Sequence, residues 1–125
     1  MTDSAVNVAL IGCGRVAGHH LRSIRDVPGG RIVAVCDLVE DRAQAYGREF
    51  GIPHFTDYHR MLAEVPDIDV VAIITPSGMH AEHAMDVMRR YRKHVIVEKP
   101  TFMRPEQLHA AYDLADKLGV QIFPV

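Results

Sequence analysis

The stretch Val6-Asn-Val-Ala-Leu-Ile-Gly-Cys-Gly-Arg-Val-Ala-Gly-His19 constrains the fold more than any other part of the chain. Its apolar run, Val8 to Ile11, has the length of a buried parallel strand. Gly12 and Gly14 follow directly, and Val16, Ala17, His20, Leu21 and Ile24 then recur at helical spacing. Strand, glycine turn and helix in that order are the setting in which the pattern G-x-G-x-x-G/A carries information. Here it reads Gly12-Cys13-Gly14-Arg15-Val16-Ala17. Gly12 permits the tight turn out of the strand. Gly14 has no side chain, so a pyrophosphate can approach the backbone, and Ala17 is small enough for the helix to pack close to the strand. The helix start offers free N–H groups and a positive dipole end to phosphates. The stretch therefore predicts a dinucleotide site, with Arg15 and Val16 counted in the same turn.

The remaining chain supplies further strands and helices in alternation. Val27-Pro-Gly-Gly30 breaks the first helix, and Arg31 to Cys36 is a second, β-branched apolar run ending at Asp37. The pattern predicts a helix from Glu40 to Phe50, a short strand at His54-Phe-Thr56 and a short helix from Tyr58 to Glu64, closed by Pro66. Val70 to Ile74 is the third strong apolar run, cut off by Thr75-Pro76-Ser77-Gly78. Met79 to Tyr91 reads as a helix with Ala84, Val87, Met88 and Tyr91 facing inward, and His94 to Val97 as a strand. Pro105 to Leu118 reads as a helix with an apolar stripe of Leu108, Ala111, Tyr112, Ala115 and Leu118. Pro105 suits a first helical position and Gly119 the residue past the end. Val120 to Pro124 is the last strand.

Strands and helices alternating about six times predict an α/β fold: a doubly wound, three-layer, six-stranded parallel sheet of Rossmann type, order 3-2-1-4-5-6. The ligand crevice is expected above the carboxyl ends of the first and fourth strands. The 125 residues make one dinucleotide-binding domain, 1–125, with 48% hydrophobic residues to build its core. The net charge of −2, from 14 basic and 16 acidic residues, argues against a dedicated nucleic-acid or membrane surface. No apolar stretch approaches the roughly 18 residues of a membrane span. Met1-Thr-Asp-Ser lacks the features of a signal peptide, and Cys13 and Cys36 have no metal spacing, which points to a reduced, cytoplasmic protein. If their strands are neighbours the two thiols lie close; otherwise they are core or turn thiols.

Asp37 ends the second strand, 20 residues beyond Ala17, where an acid accepts hydrogen bonds from the adenosine ribose and repels a 2′-phosphate. This favours NAD over NADP, although Arg42 is near enough to blur the preference. Asp37 as a loop acid or helix cap is the alternative. Thr75-Pro76-Ser77-Gly78-Met79-His80 falls at the expected switch point, and Ser77 there reads equally as a helix cap. His80 and His83 share a helix face, but no further metal ligand is placed beside them, so no metal is assigned. The other histidines, His19, His20, His54, His59, His94 and His109, read as surface or helix-packing residues. Glu98-Lys99-Pro100 ends the fifth strand, and a lysine there can move a proton or stabilise an oxyanion.

Gly12-Cys-Gly-Arg-Val-Ala-Gly-His19, Asp37, Thr75-Pro-Ser-Gly-Met-His80 and Glu98-Lys-Pro100 together resemble the glucose-fructose oxidoreductase / inositol dehydrogenase (Gfo/Idh/MocA) family. The resemblance covers the whole chain. It implies that Gly12, Gly14 and Ala17 hold a pyrophosphate and Asp37 the adenosine ribose. Thr75, Pro76 and His80 would run along NAD towards the nicotinamide ribose. Lys99 would touch both the substrate hydroxyl and the nicotinamide ribose region and assist proton removal during hydride transfer. Glu98, counted with it among the cofactor-binding residues, would orient Lys99, and a cis peptide at Pro100 would fix the turn. The implied substrate is a small-molecule sugar, nucleotide sugar or cyclitol, with a secondary hydroxyl oxidised. Family members carry a second domain that binds substrate and forms a homo-oligomer contact; it has no counterpart in these residues. Two other classes fit the glycine turn. One is a non-catalytic module that senses NAD. The other is an S-adenosylmethionine enzyme, which leaves Glu98-Lys99-Pro100 without a role.

Overall fold

The computed structural model describes residues 5–125. Six strands form one all-parallel sheet: β1 (Val6–Ile11), β2 (Gly30–Cys36), β3 (His54–Phe55), β4 (Val70–Ile73), β5 (His94–Val97) and β6 (Ile122–Pro124). Five helices connect them: α1 (Ala17–Asp26), α2 (Glu40–Phe50), α3 (Tyr58–Glu64), α4 (His80–Tyr91) and α5 (Pro105–Leu118). The strand order is 3-2-1-4-5-6, as the alternation of elements predicts.

Helices on both faces require the central strands to be apolar throughout. Val70, Val71, Ala72 and Ile73 of β4 are all buried. Alternate residues serve opposite layers, because successive side chains leave a strand on opposite faces. Val8 and Leu10 of β1 join Ala17 and Leu21 of α1 in one core cluster. Ala9 and Ile11 join Met61, Val87, Met88, Ala111 and Ala115, from α3, α4 and α5, in the other.

Register decides where the site lies. The row Phe55, Cys36, Ile11, Ile73, Val97 and Pro124 crosses the whole sheet as paired neighbours. The segments that follow these residues therefore emerge along one edge. They include the glycine turn, Asp37, the Thr75 loop and Glu98-Lys99-Pro100.

Several local expectations are corrected. β4 ends at Ile73 rather than Ile74. A 3-10 turn over Ser77–Met79 precedes α4, which begins at His80 rather than Met79, and no Ser77 hydroxyl caps it. Val16 is the N-cap of α1 and is 41% exposed, not part of its buried face. Only Ala111 and Ala115 of the expected α5 stripe are buried. Leu108 and Tyr112 are 42% and 40% exposed, and Leu114 takes up the packing beside Leu118 instead. The inward face of α5 runs through Ala111, Leu114, Ala115 and Leu118, and Leu108 and Tyr112 fall to one side of it. Among the described residues no helix is long and apolar enough to cross a membrane.

Candidate active site

A cavity of about 1040 Å³ opens at the carboxyl edge of the sheet, between the turn after β1 and the loop after β4. Gly12 has φ +99°, and a Cβ there would lie 2.7 Å from the Ile74 carbonyl carbon and oxygen. That contact lets the two loops touch across the switch point, and only glycine supplies both the conformation and the room. Gly14 is the converse: a Cβ there meets nothing within 4 Å. The space over Gly14 is open to the cavity. No side chain caps the N-terminus of α1, so its dipole end stays open beside that space. Ala17 is fully buried under the turn.

Asp37 does more than the sequence suggests. Its Oδ2 accepts the Cys13 N–H at 2.7 Å and its Oδ1 the Val39 N–H at 2.8 Å. The carboxylate thus fastens the glycine turn to the end of β2. The cap position of α2 is Val39, not Asp37. Asp37 remains half-buried on the cavity wall, beside Leu38 and Arg42, with lone pairs free to accept from a ligand. Cys13 and Cys36 lie close, with Cys13 Sγ 3.6 Å from the Cys36 carbonyl oxygen. Both are free, and burial first and the Asp37 charge second push both thiols up to about 12, which keeps them protonated and inert.

The loop after β4 is held by two histidines of α4. His80 is 2% exposed; its Nε2 is 2.7 Å from the Thr75 carbonyl oxygen and its Nδ1 2.9 Å from that of Pro100. His83 Nδ1 is 2.9 Å from Thr75 Oγ1. The shared face of His80 and His83 therefore holds Thr75. Among the described residues no group of three histidine, cysteine, aspartate or glutamate side chains is arranged to bind a metal.

At the end of β5, Glu98 Oε2 is 2.5 Å from His20 Nε2, and Glu98 Oε1 accepts the Lys99 backbone N–H at 3.1 Å. The His20 contact, helped by the Lys99 N–H, holds the Glu98 carboxyl below its usual range against the opposing effect of burial. His20 belongs to α1, so this pair ties the helix behind the glycine turn to the lysine. The sequence places His20 among the surface or helix-packing histidines, and nothing in its spacing pairs it with a residue 78 positions away. Lys99 is exposed, and its peptide bond to Pro100 is cis.

Gly12, Gly14, Val16, Asp37, Thr75, Pro76, His80, Glu98 and Lys99 all line the cavity. Arg15 and Ala17 do not: Arg15 points to solvent and Ala17 packs beneath the turn. Thr56, Asp57 and Tyr58, at the end of β3 and start of α3, also line it. Sequence reasoning missed them because their strand is only two residues long and carries no glycine signal.

An all-parallel sheet of this order, with a glycine turn and an open helix end at its switch point, defines a dinucleotide-binding Rossmann domain. Residues 6–125 match the model of the oxidoreductase family with an NAD-binding Rossmann fold, and the chain belongs to that Gfo/Idh/MocA family. It is 32% identical to the scyllo-inositol 2-dehydrogenase (NAD(+)) of Bacillus subtilis (strain 168), over 94% of this chain and 34% of that protein. It is 35% identical to the D-glucoside 3-dehydrogenase of Escherichia coli (strain K12), over 95% of this chain and 34% of that one. The solved WlbA dehydrogenase of Bordetella pertussis, in complex with NADH and UDP-GlcNAcA, superimposes with a TM-score of 0.90 at 30% identity, covering 97% of this chain and 37% of that one. The chain thus spans about a third of the length of the relatives it matches.

Proposed function

We propose that this chain is the NAD-binding part of a dehydrogenase that oxidises a secondary hydroxyl of a sugar, nucleotide sugar or cyclitol. One observation carries the reading. The cavity brings the open space over Gly14, the Asp37 carboxylate, the Thr75 loop and Lys99 to one edge of the sheet. That set suits an extended dinucleotide. Its pyrophosphate would lie over Gly14 at the start of α1, its adenosine ribose at Asp37, and its nicotinamide ribose along Thr75, Pro76 and His80 towards Lys99. Asp37 and Asp57 line the adenosine end and disfavour a 2′-phosphate, which favours NAD over NADP, with Arg42 on the same wall opposing that preference.

When bound, nicotinamide supplies the hydride acceptor. The residues of this chain do the remaining work. With its amine in the neutral form, Lys99 would take the hydroxyl proton as the alcohol carbon gives its hydride to that acceptor and the carbonyl forms. Glu98 fixes the Lys99 backbone from one oxygen while His20 fixes Glu98 from the other. Catalytic assistance would come from Lys99, and positioning from Glu98.

Titrating the purified chain with NADH, NADPH and S-adenosylmethionine tests the reading. NADH should bind tightest. Tighter NADPH binding would overturn the ribose assignment, and binding of S-adenosylmethionine alone would overturn the class.

A further inference from the structure

The α4 wall of the cavity carries a hydrogen bond whose direction matters. Thr75 and His83 both line the cavity, and His83 Nδ1 lies 2.9 Å from Thr75 Oγ1. A threonine hydroxyl has a single proton and two lone pairs. What Thr75 offers a ligand is therefore set by what its partner takes. The carbonyl of Thr75 is held by His80, and its side chain meets His83.

We propose that His83 Nδ1 accepts the Thr75 hydroxyl proton, so that Thr75 Oγ1 turns lone pairs into the cavity and selects a hydrogen-bond donor of the bound dinucleotide. This rests on the NAD reading above. Two donors of that ligand suit the place, a ribose hydroxyl and the carboxamide N–H.

The surroundings support a neutral ring. Burial lowers the His83 pKa below 6.5, outweighing the opposite pull of Glu82 and Asp86, and His80 adds to the lowering. Across from it on α3, the Tyr58 ring stands edge-on with centroids 5.5 Å apart, and its hydroxyl is committed to Asp86. His59 of α3 and Arg90 of α4 also turn to Asp86, which spreads that charge over three partners. Asp57 lines the cavity from the start of α3, Asp37 from the end of β2, and Glu98 and Lys99 from the end of β5. Above the lowered pKa His83 is an acceptor. As pH falls through it the ring gains a proton and must donate, and Thr75 then points its O–H at the ligand.

NADH binding, followed between about pH 8 and about pH 5, tests this in the unmodified chain, His83→Asn and Thr75→Val. Asparagine places an oxygen near the Nδ1 position and does not titrate. The unmodified chain should lose about three- to tenfold in affinity at the low end, the scale of one neutral hydrogen bond. His83→Asn should restore the high-pH affinity and lack that share of the loss. Thr75→Val should bind about three- to tenfold more weakly at high pH and show the same flattened profile. An unmodified pH profile in either variant overturns the proposal. If His83→Asn fails to fold by circular dichroism, Thr75→Val and the ring spectrum decide. Two-bond 1H–15N spectra of the ligand-free chain should find the His83 proton on Nε2; a proton on Nδ1 at neutral pH overturns it. The 3-acetylpyridine analogue, which lacks the carboxamide N–H, separates the donors: a Thr75→Val penalty that vanishes with it identifies the carboxamide, and one that persists identifies the ribose. No NADH binding by the unmodified chain at any pH overturns the cofactor reading instead, and the ring spectrum still decides the direction of the bond.

Discussion

Two glycines two positions apart in the same turn do opposite jobs. An added Cβ at Gly12 meets backbone at 2.7 Å, whereas one at Gly14 meets nothing. Gly12→Ala should therefore destabilise the fold, by about 2 kcal/mol or more, since backbone strain and a backbone clash coincide; urea unfolding followed by circular dichroism measures this. Gly14→Val should leave the urea midpoint almost unchanged while abolishing NADH binding by calorimetry, because the branched side chain would fill the open space proposed for the pyrophosphate. Unchanged binding by a folded Gly14→Val chain would remove the pyrophosphate site. The sequence motif made both glycines visible but not the difference between them, which depends on Ile74, 62 positions further along the chain. Asp37 was legible in the same partial way. Its strand-end position showed from spacing, but its bond to the Cys13 N–H did not, since that bond exists only once β1 and β2 pair. Replacing Asp37 with Ser should narrow the gap between NADH and NADPH affinity and also loosen the turn, seen as faster amide exchange at Cys13.

At the scale of elements, the sequence pattern is clearest where layers pack on both sides of a strand and weakest at edges. The apolar runs of β1 and β4 show in sequence because alternate residues enter opposite core clusters. The α5 stripe was misread because Leu108 and Tyr112 are apolar yet lie on the open side. Helix ends carry a testable irregularity. α2 and α5 stop at Gly51 and Gly119 in the left-handed region, but α4 stops there at Arg92, with φ 54°. A side chain in that conformation costs about 1 kcal/mol. Arg92→Gly should therefore stabilise the chain by about 0.5–1 kcal/mol, read as a higher urea midpoint with an unchanged slope. The His20–Glu98 pair links α1 to the residue that follows β5. The Glu98 pKa is depressed below 4.5 in the folded state, chiefly by His20. Its contribution to stability is complete above the unfolded value and is lost as pH falls through the folded one. In His20→Leu the Glu98 carboxyl carbon shift should titrate closer to 4.5, and the share of the acid loss of stability that this carboxyl contributes should shrink, because its folded and unfolded values then lie closer together.

The whole molecule poses the question of catalysis. Lys99 is exposed at the rim of the cavity, and its neighbours within this chain hold its backbone rather than enclose its amine. Proton transfer during hydride transfer works best where the substrate hydroxyl is held in place and water is excluded. One wall, the sheet edge with its cofactor crevice, is present; the chain spans about a third of the length of its relatives. We therefore expect the 125 residues to bind NAD(H) but to show no turnover with free sugars, nucleotide sugars or inositols, assayed as NADH absorbance. Joining the remaining two thirds of a full-length relative after Val125 should produce activity. In that fusion Lys99→Met, which keeps length but removes the amine, should lower kcat about 100-fold or more while NADH affinity changes little, as loss of a general acid–base group requires. Robust turnover by the 125 residues alone would show that the cavity needs no second wall. Full activity in the Lys99→Met fusion would instead move the proton to another group, and Glu98, held by His20 at the same strand end, would be the next to replace.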